Sequence, residues 1–223
     1  MWSSEGWIFI DFEVFGIAAV PESIHPGILG LVVETPEQAK YCCIVIDEGL
    51  EQITKIFPNY TLFNPEMKWD LVYQKIREYD PLGNCKYMFS WSENDAIWLK
   101  RLFSDFSNPS LLEPRGLRTM NALPDTRRLG RKLWGMRAPH TLSRYMDKAN
   151  YSYPSNVTPT KIMSNLKDIW GSSPNRIDGT VEKMAYELLR YNYHDCFGMR
   201  TVMRILNEHE DIPTGDPFFD CSE

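Results

Sequence analysis

Four acidic residues and one tyrosine have the types and spacing best suited to chemistry in this chain. Asp11 and Glu13 stand two apart at the end of the apolar run Trp7–Phe12. Residues two apart on a strand point to the same face, so the two carboxylates would emerge together. That is costly unless they are solvated, paired or bound to a cation, and hard divalent ions favour carboxylate oxygens. Asp95 falls at the start of a predicted helix, directly after the run Lys86–Trp91. Two roles are open to it: a further carboxylate for the same cation, or stabilisation of the helix dipole, which Glu93 beside it can also provide. Tyr191 and Asp195 are one turn apart on a predicted helix and share a face. Asp195 could hold a cation there while the Tyr191 hydroxyl orients a water; the alternative is a buried aromatic beside a capped or paired aspartate. His194 points about 100° away from Asp195 and reads as a structural or surface histidine and not as the base.

These residues need a scaffold. Short apolar and aromatic runs predict strands at Trp7–Phe12, Ile28–Val33, Tyr41–Ile46 and Lys86–Trp91, the first three forming an antiparallel meander. Helical spacing of Trp69, Val72, Tyr73 and Ile76 predicts a helix over Met67–Tyr79, ended by Asp80-Pro81-Leu82-Gly83. Ser92 caps a further predicted helix over Glu93–Phe106. Shorter helical pieces are expected at Arg127–Trp134 and Thr141–Met146, and a long helix at Val181–Leu206. Proline, glycine, serine and asparagine punctuate residues 151–180, which read as a loop-rich insertion around one short helix near Lys161–Trp170. The order of elements predicts a single α/β domain over residues 1–223, a mixed β-sheet flanked by helices.

The composition, 43% hydrophobic and 24% charged over 223 residues, is that of a globular domain. No apolar run approaches the roughly 18–20 residues of a membrane helix. The N-terminus lacks a positive cluster and an apolar signal core, so secretion is not expected. The five cysteines are odd in number and form no C-x-x-C pair, which predicts reduced thiols and a cytoplasmic location. A net charge of −6 disfavours nonspecific nucleic-acid binding. The charge is uneven, however. Arg115, Arg118, Arg127, Arg128, Arg131, Lys132, Arg137 and Arg144 are opposed only by Asp125. Such a segment could follow a phosphate backbone or form a solvated helix face.

Taken together, the early Asp11-x-Glu13, the helix-start Asp95 and the late Tyr191-x-x-x-Asp195 resemble the DEDD superfamily of 3′–5′ exonucleases, which have the RNase H-like fold. The similarity is greatest to RNase H-like domains that accompany RecB-like nucleases. Those show a late Asn-x-x-Asp-Cys segment, here Asn192 to Cys196, and a basic stretch with a His-x-Leu segment, here Leu129–Leu133 and His140–Leu142. The final aspartate is preceded five residues earlier by Arg190 rather than histidine, and four residues earlier by Tyr191, which fits the tyrosine branch. The middle motif reads Ser92-Glu93-Asn94-Asp95, making Asp95 the candidate ligand and Glu93 the reserve.

The resemblance implies a metal-dependent 3′–5′ exonuclease acting on DNA or RNA. Asp11, Glu13, Asp95 and Asp195 would bind two Mg²⁺ or Mn²⁺ ions about 4 Å apart. Tyr191 would orient the attacking water, and Glu13 would also meet a terminal 3′ hydroxyl. Arg127, Arg128, Arg131, Lys132 and His140 would contact the substrate strand, and Phe15, Trp91 or Trp134 could stack a base. Two alternatives remain open: an inactive nucleic-acid-binding module of the same fold, and a structure-specific endonuclease.

Overall fold

The structure is a computed structural model, and it describes residues 6–16, 24–91, 95, 98–99, 118–121, 141–154 and 157–208. Its elements are β1 (Gly6–Phe15), β2 (His25–Glu34), β3 (Ala39–Val45), α1 (Gln52–Ile56), β4 (Thr61–Phe63), α2 (Trp69–Tyr79), β5 (Cys85–Ser90), β6 (Arg118–Asn121), α3 (Leu142–Lys148), α4 (Pro159–Ser172) and α5 (Gly179–Glu208). Six strands make one mixed sheet in the order β4-β3-β2-β1-β5-β6. The first three strands form the antiparallel meander that the apolar runs predict. Strands β5 and β6 continue parallel to β1, and β4 is parallel to β3.

Helices cover both faces of this α/β sheet. On one face, Trp7, Phe9, Phe15, Val32, Tyr41 and Cys43 pack against α3, α4 and α5 through residues such as Tyr145, Met163, Leu188 and Tyr193. On the other, Ile8, Ile10, Leu29, Leu31, Val33 and Ile44 meet Trp69, Val72 and Ile76 of α2. Strand periodicity separates the two sets, because successive side chains of β1 go to opposite layers. A mixed sheet with a meander first, parallel strands after and helices on both faces is compatible with the RNase H-like fold.

Several boundaries differ from the expected ones for local reasons. Helix α2 begins at Trp69 rather than Met67, whose φ of 48° is not helical. The Asn64 side chain closes that turn, accepting from the Lys68 N–H at 3.0 Å and donating to the Lys68 carbonyl at 3.1 Å. Helix α4 spans 14 residues, starting on Pro159 and sending Met163, Leu166 and Trp170 into the core. Proline suits a first helical turn because its missing N–H has no intrahelical partner there. At the start of α5, Asp178 Oδ1 accepts from the N–H groups of Thr180 and Val181, each at 3.0 Å. Strands β4 and β6 and helix α1, all short, carry no periodic signal and were not expected. The helical piece expected at 127–134, and most of the one at 93–106, lie outside the described residues.

Candidate metal centre

Strand β1 turns Trp7, Phe9, Asp11, Glu13 and Phe15 toward α5. The apolar members bury themselves, and Asp11 and Glu13 are left half-buried where α5 crosses the sheet. Asp195, on α5 and buried, faces them. One carboxylate oxygen from each of Asp11, Glu13 and Asp195 lies within 4.8 Å of the others. The strand also changes character here: its register with β2 shifts between Glu13 and Val14. Such irregularities re-aim side chains near functional sites.

Two glycines let α5 pack closely, one against the sheet and one against α3. Gly30 pairs with Asp11 across the β1–β2 ladder, and a Cβ at Gly30 would fall on Asn192 Oδ1 and lie 2.8 Å from Cys196 Sγ. A Cβ at Gly198 would fall on Met146 Sδ of α3. The Asn192 amide then fills the space above Gly30. It donates to the Asp11 carbonyl and to Asp11 Oδ2, each at 3.2 Å, and accepts from the Tyr41 hydroxyl at 2.8 Å.

Asp95 is helical and buried beyond the C-terminal end of β5, the parallel neighbour of β1. It is outside the tight group of three, yet its charge raises the pKa values of Asp11, Glu13 and Asp195. Its reserve, Glu93, lies outside the described residues.

Tyr191 is half-buried one turn before Asp195. Burial first, then the charge of Asp195, and after it those of Glu13 and Asp11, hold its hydroxyl protonated. It can therefore give a hydrogen bond but cannot take a proton at neutral pH. A second tyrosine, which sequence reasoning missed, completes the group. Tyr153 donates to Asp195 Oδ1 at 2.8 Å, and its ring meets that of Tyr191 edge-on, with centroids 5.3 Å apart.

Tyr153 reaches this point because of how α3 ends. Asn150 takes a left-handed φ of 53°. The Asn150 N–H bonds the Asp147 carbonyl at 3.1 Å, and the Tyr151 N–H bonds the Met146 carbonyl at 2.9 Å. This is a Schellman turn with asparagine in the place glycine usually takes. It sends residues 151–154 across α5, where the Tyr151 hydroxyl meets His194 Nδ1 at 2.8 Å. His194 is buried in that contact, in keeping with its structural reading.

The electrostatics follow from crowding acids in a poorly solvated place. Burial pushes the Asp11 carboxyl well above the usual range, and the charges of Asp195, Glu13 and Asp95 push it further. Glu13 is also raised, by burial and then by Asp195, although its hydrogen bonds with Asp11 and Asn192 pull the other way. Asp195 is pushed up to about 7 by burial, against the pull of the Tyr153 hydrogen bond. Among the described residues, Glu13 Oε1 is a buried oxygen with no hydrogen-bond partner. An all-carboxylate set with such an oxygen suits a hard divalent cation, which would let every member ionise.

Phe15 and Trp91, considered above as stacking surfaces, are buried. Phe15 stacks on His25 with centroids 4.9 Å apart and lies under Lys167 Nζ at 4.9 Å, while Trp91 meets Tyr145 edge-on at 5.2 Å. Their rings belong to the core and offer no face to a base. Trp134 and the expected substrate contacts Arg127, Arg128, Arg131, Lys132 and His140 lie outside the described residues. Among the described residues no helix is long and apolar enough to cross a membrane. The chain matches no family model, and no curated protein is significantly similar to it.

Proposed function

We propose that this protein is a divalent-metal-dependent phosphodiesterase that shortens DNA or RNA from a 3′ end. The observation that carries this reading is the convergence of Asp11, Glu13 and Asp195 on one poorly solvated spot, with Tyr191 near enough to feel the charge of each. A binding module has little use for clustered carboxylates where phosphate must approach.

Asp11, Glu13 and Asp195, with Asp95 behind them, would hold two Mg²⁺ or Mn²⁺ ions. Ions bound there would lower the pKa of a water and offset charge on the leaving 3′ oxygen. Asp11 is held by Asn192 and so keeps its orientation as substrate arrives. Tyr191, protonated across the working pH range, donates to the attacking water and fixes its line of approach. Arg127, Arg128, Arg131, Lys132 and His140 would hold substrate phosphates, and Glu13 the terminal 3′ hydroxyl. The preference for 3′ ends rests on the resemblance of Tyr191-x-x-x-Asp195 to the tyrosine branch of the DEDD exonucleases. The free, buried thiols of Cys42, Cys43, Cys85 and Cys196 suit a reducing, cytoplasmic compartment.

The test uses 5′-labelled DNA and RNA oligonucleotides, with circular single-stranded DNA beside them. Progressive shortening in Mn²⁺, absent with chelator and in Asp11→Asn, is the expected result. Cleavage of the circle would replace this reading with an endonuclease. A wild-type protein that shortens no substrate, and binds Mn²⁺ no better than Asp11→Asn does, would overturn it.

A further inference from the structure

The residues expected to do chemistry all lie on β1, on α5 or at the start of the helix that holds Asp95. Tyr153 lies on none of these. It sits on the irregular segment 151–154, which has its own anchor in the Schellman turn at Asn150. It also touches both halves of the Tyr191-x-x-x-Asp195 pair, through its hydroxyl to Asp195 and its ring to Tyr191.

We propose that Tyr153 is a positioning residue of the metal centre, holding the Asp195 carboxylate and the Tyr191 ring in the arrangement that metal and water require. This rests on the reading of Asp11, Glu13 and Asp195 as metal ligands. A carboxylate on a single stem can rotate about two bonds, and α5 fixes only its starting point. A hydrogen bond of 2.8 Å from an outside element fixes the plane of the group. Ligating carboxylates are commonly held in this way by a hydrogen bond from a second residue. The ring contact, together with a hydrogen bond between the two hydroxyls, does the same for the half-buried Tyr191.

The companion contact makes the strap specific. Tyr151 and Tyr153 alternate along the chain, and their hydroxyls meet His194 and Asp195, adjacent residues of α5. Sliding the segment by one residue would break both bonds at once. The Tyr151–His194 bond therefore sets the register in which Tyr153 reaches Asp195.

Tyr153→Phe removes the hydroxyl, and with it the bonds to Asp195 and to the Tyr191 hydroxyl, and keeps the ring contact. Mn²⁺ binding is measured by calorimetry on metal-free wild type, Tyr153→Phe, Tyr151→Phe and Asp195→Asn, with a thermal melt of each. Loss of such a supporting hydrogen bond costs roughly 10–100-fold in metal affinity or activity. Tyr153→Phe should show a loss of that size in Mn²⁺ affinity while melting as a folded protein. On oligonucleotide its kcat should fall with KM unchanged. Wild-type Mn²⁺ affinity in Tyr153→Phe would overturn the positioning role and leave the metal centre standing. Wild type that binds no more Mn²⁺ than Asp195→Asn would overturn the metal centre itself, and the role of Tyr153 with it. If Tyr153→Phe fails to fold, Tyr151→Phe decides: it should give a smaller affinity loss, and an unchanged affinity would count against the strap.

Discussion

Asn192 Nδ2 bonds both the backbone carbonyl and the carboxylate Oδ2 of Asp11, at 3.2 Å each, while its oxygen is taken by the Tyr41 hydroxyl at 2.8 Å. The Asp11 backbone carbonyl decides which way round the amide sits, since it can only accept, and the Tyr41 hydroxyl, which can give or take, then donates to the amide oxygen. The nitrogen is thereby aimed at Asp11. A neutral amide also bonds a carboxylate without competing with a cation, as a lysine or arginine would.

Replacing Asn192 by alanine leaves the Tyr41 hydroxyl and Asp11 without these partners in a buried place. Unsatisfied buried polar groups cost about 1–3 kcal/mol. We expect a loss of about 2 kcal/mol, read as a fall in Tm of roughly 4–8 °C for a domain of this size. Mn²⁺ affinity should fall as well, because Asp11 loses its support. A variant with both properties unchanged would show that Asn192 merely fills space above Gly30.

How much of this centre was legible beforehand differs residue by residue. Asp11 and Glu13 share a face because strand periodicity requires it, and Tyr191 and Asp195 because a helical turn requires it. That α5 would cross β1 at Asp11 could not be read locally. It depends on Gly30, whose importance lies in neighbours distant in sequence, Asn192 and Cys196, just as the seating of α5 against α3 depends on Gly198 beside Met146. Tyr153 stands 42 residues before Asp195, in a stretch whose composition reads as loop. The usable signal was Asn150, an asparagine placed to end a helix in a left-handed turn. It predicts a sharp change of direction but not the partner that the chain then meets. Phe15 and Trp91 show the converse: an aromatic near a site is more often packed than presented.

The acid cluster makes metal-free stability depend on pH, with a sign opposite to that of salt-bridged carboxylates. Asp11 and Glu13 titrate well above the ordinary range in the fold, and Asp195 near 7, whereas in the unfolded chain all three titrate near 4. Between those limits the folded protein holds protons that the unfolded chain has released. Stability from these groups is therefore full below about pH 4 and lost as pH rises toward 7. Bound Mn²⁺ would reverse the loss by taking the place of the protons, with a gain of about 2.7 kcal/mol at a hundredfold excess over Kd. The Tm of metal-free protein should fall between pH 5 and pH 7.5, and Mn²⁺ should raise it by roughly 5–10 °C at pH 7.5 and by less at pH 5. An equal rise at both pH values would mean that the ion binds elsewhere.

Glu34 provides a control at the other end of the sheet. It closes β2 opposite Trp7, and its Oε1 accepts from Arg200 at 2.6 Å and from Arg204 Nε at 2.9 Å, both on α5. The Arg204 guanidinium also lies over the Trp7 ring, 5.6 Å from its centre. The Glu34 side chain is 4% exposed, against 15% and 26% for the two arginines. Removing one partner of a buried ion pair costs about 3–5 kcal/mol because the other charge is stranded. Here the arginines keep some access to water, which puts the expected cost of Glu34→Gln at the lower end, about 3 kcal/mol, with Tm falling by roughly 6–12 °C. Mn²⁺ affinity in the folded variant should match wild type, since Glu34 sits against Trp7 and not against Asp11. Glu34→Gln and Asn192→Ala should therefore both lower Tm, and only the second should weaken Mn²⁺ binding. If Glu34→Gln weakened Mn²⁺ binding as much, the placement of α5 over β1 would be set from the Glu34 end, and the Asn192 contact would follow from that placement instead of fixing Asp11.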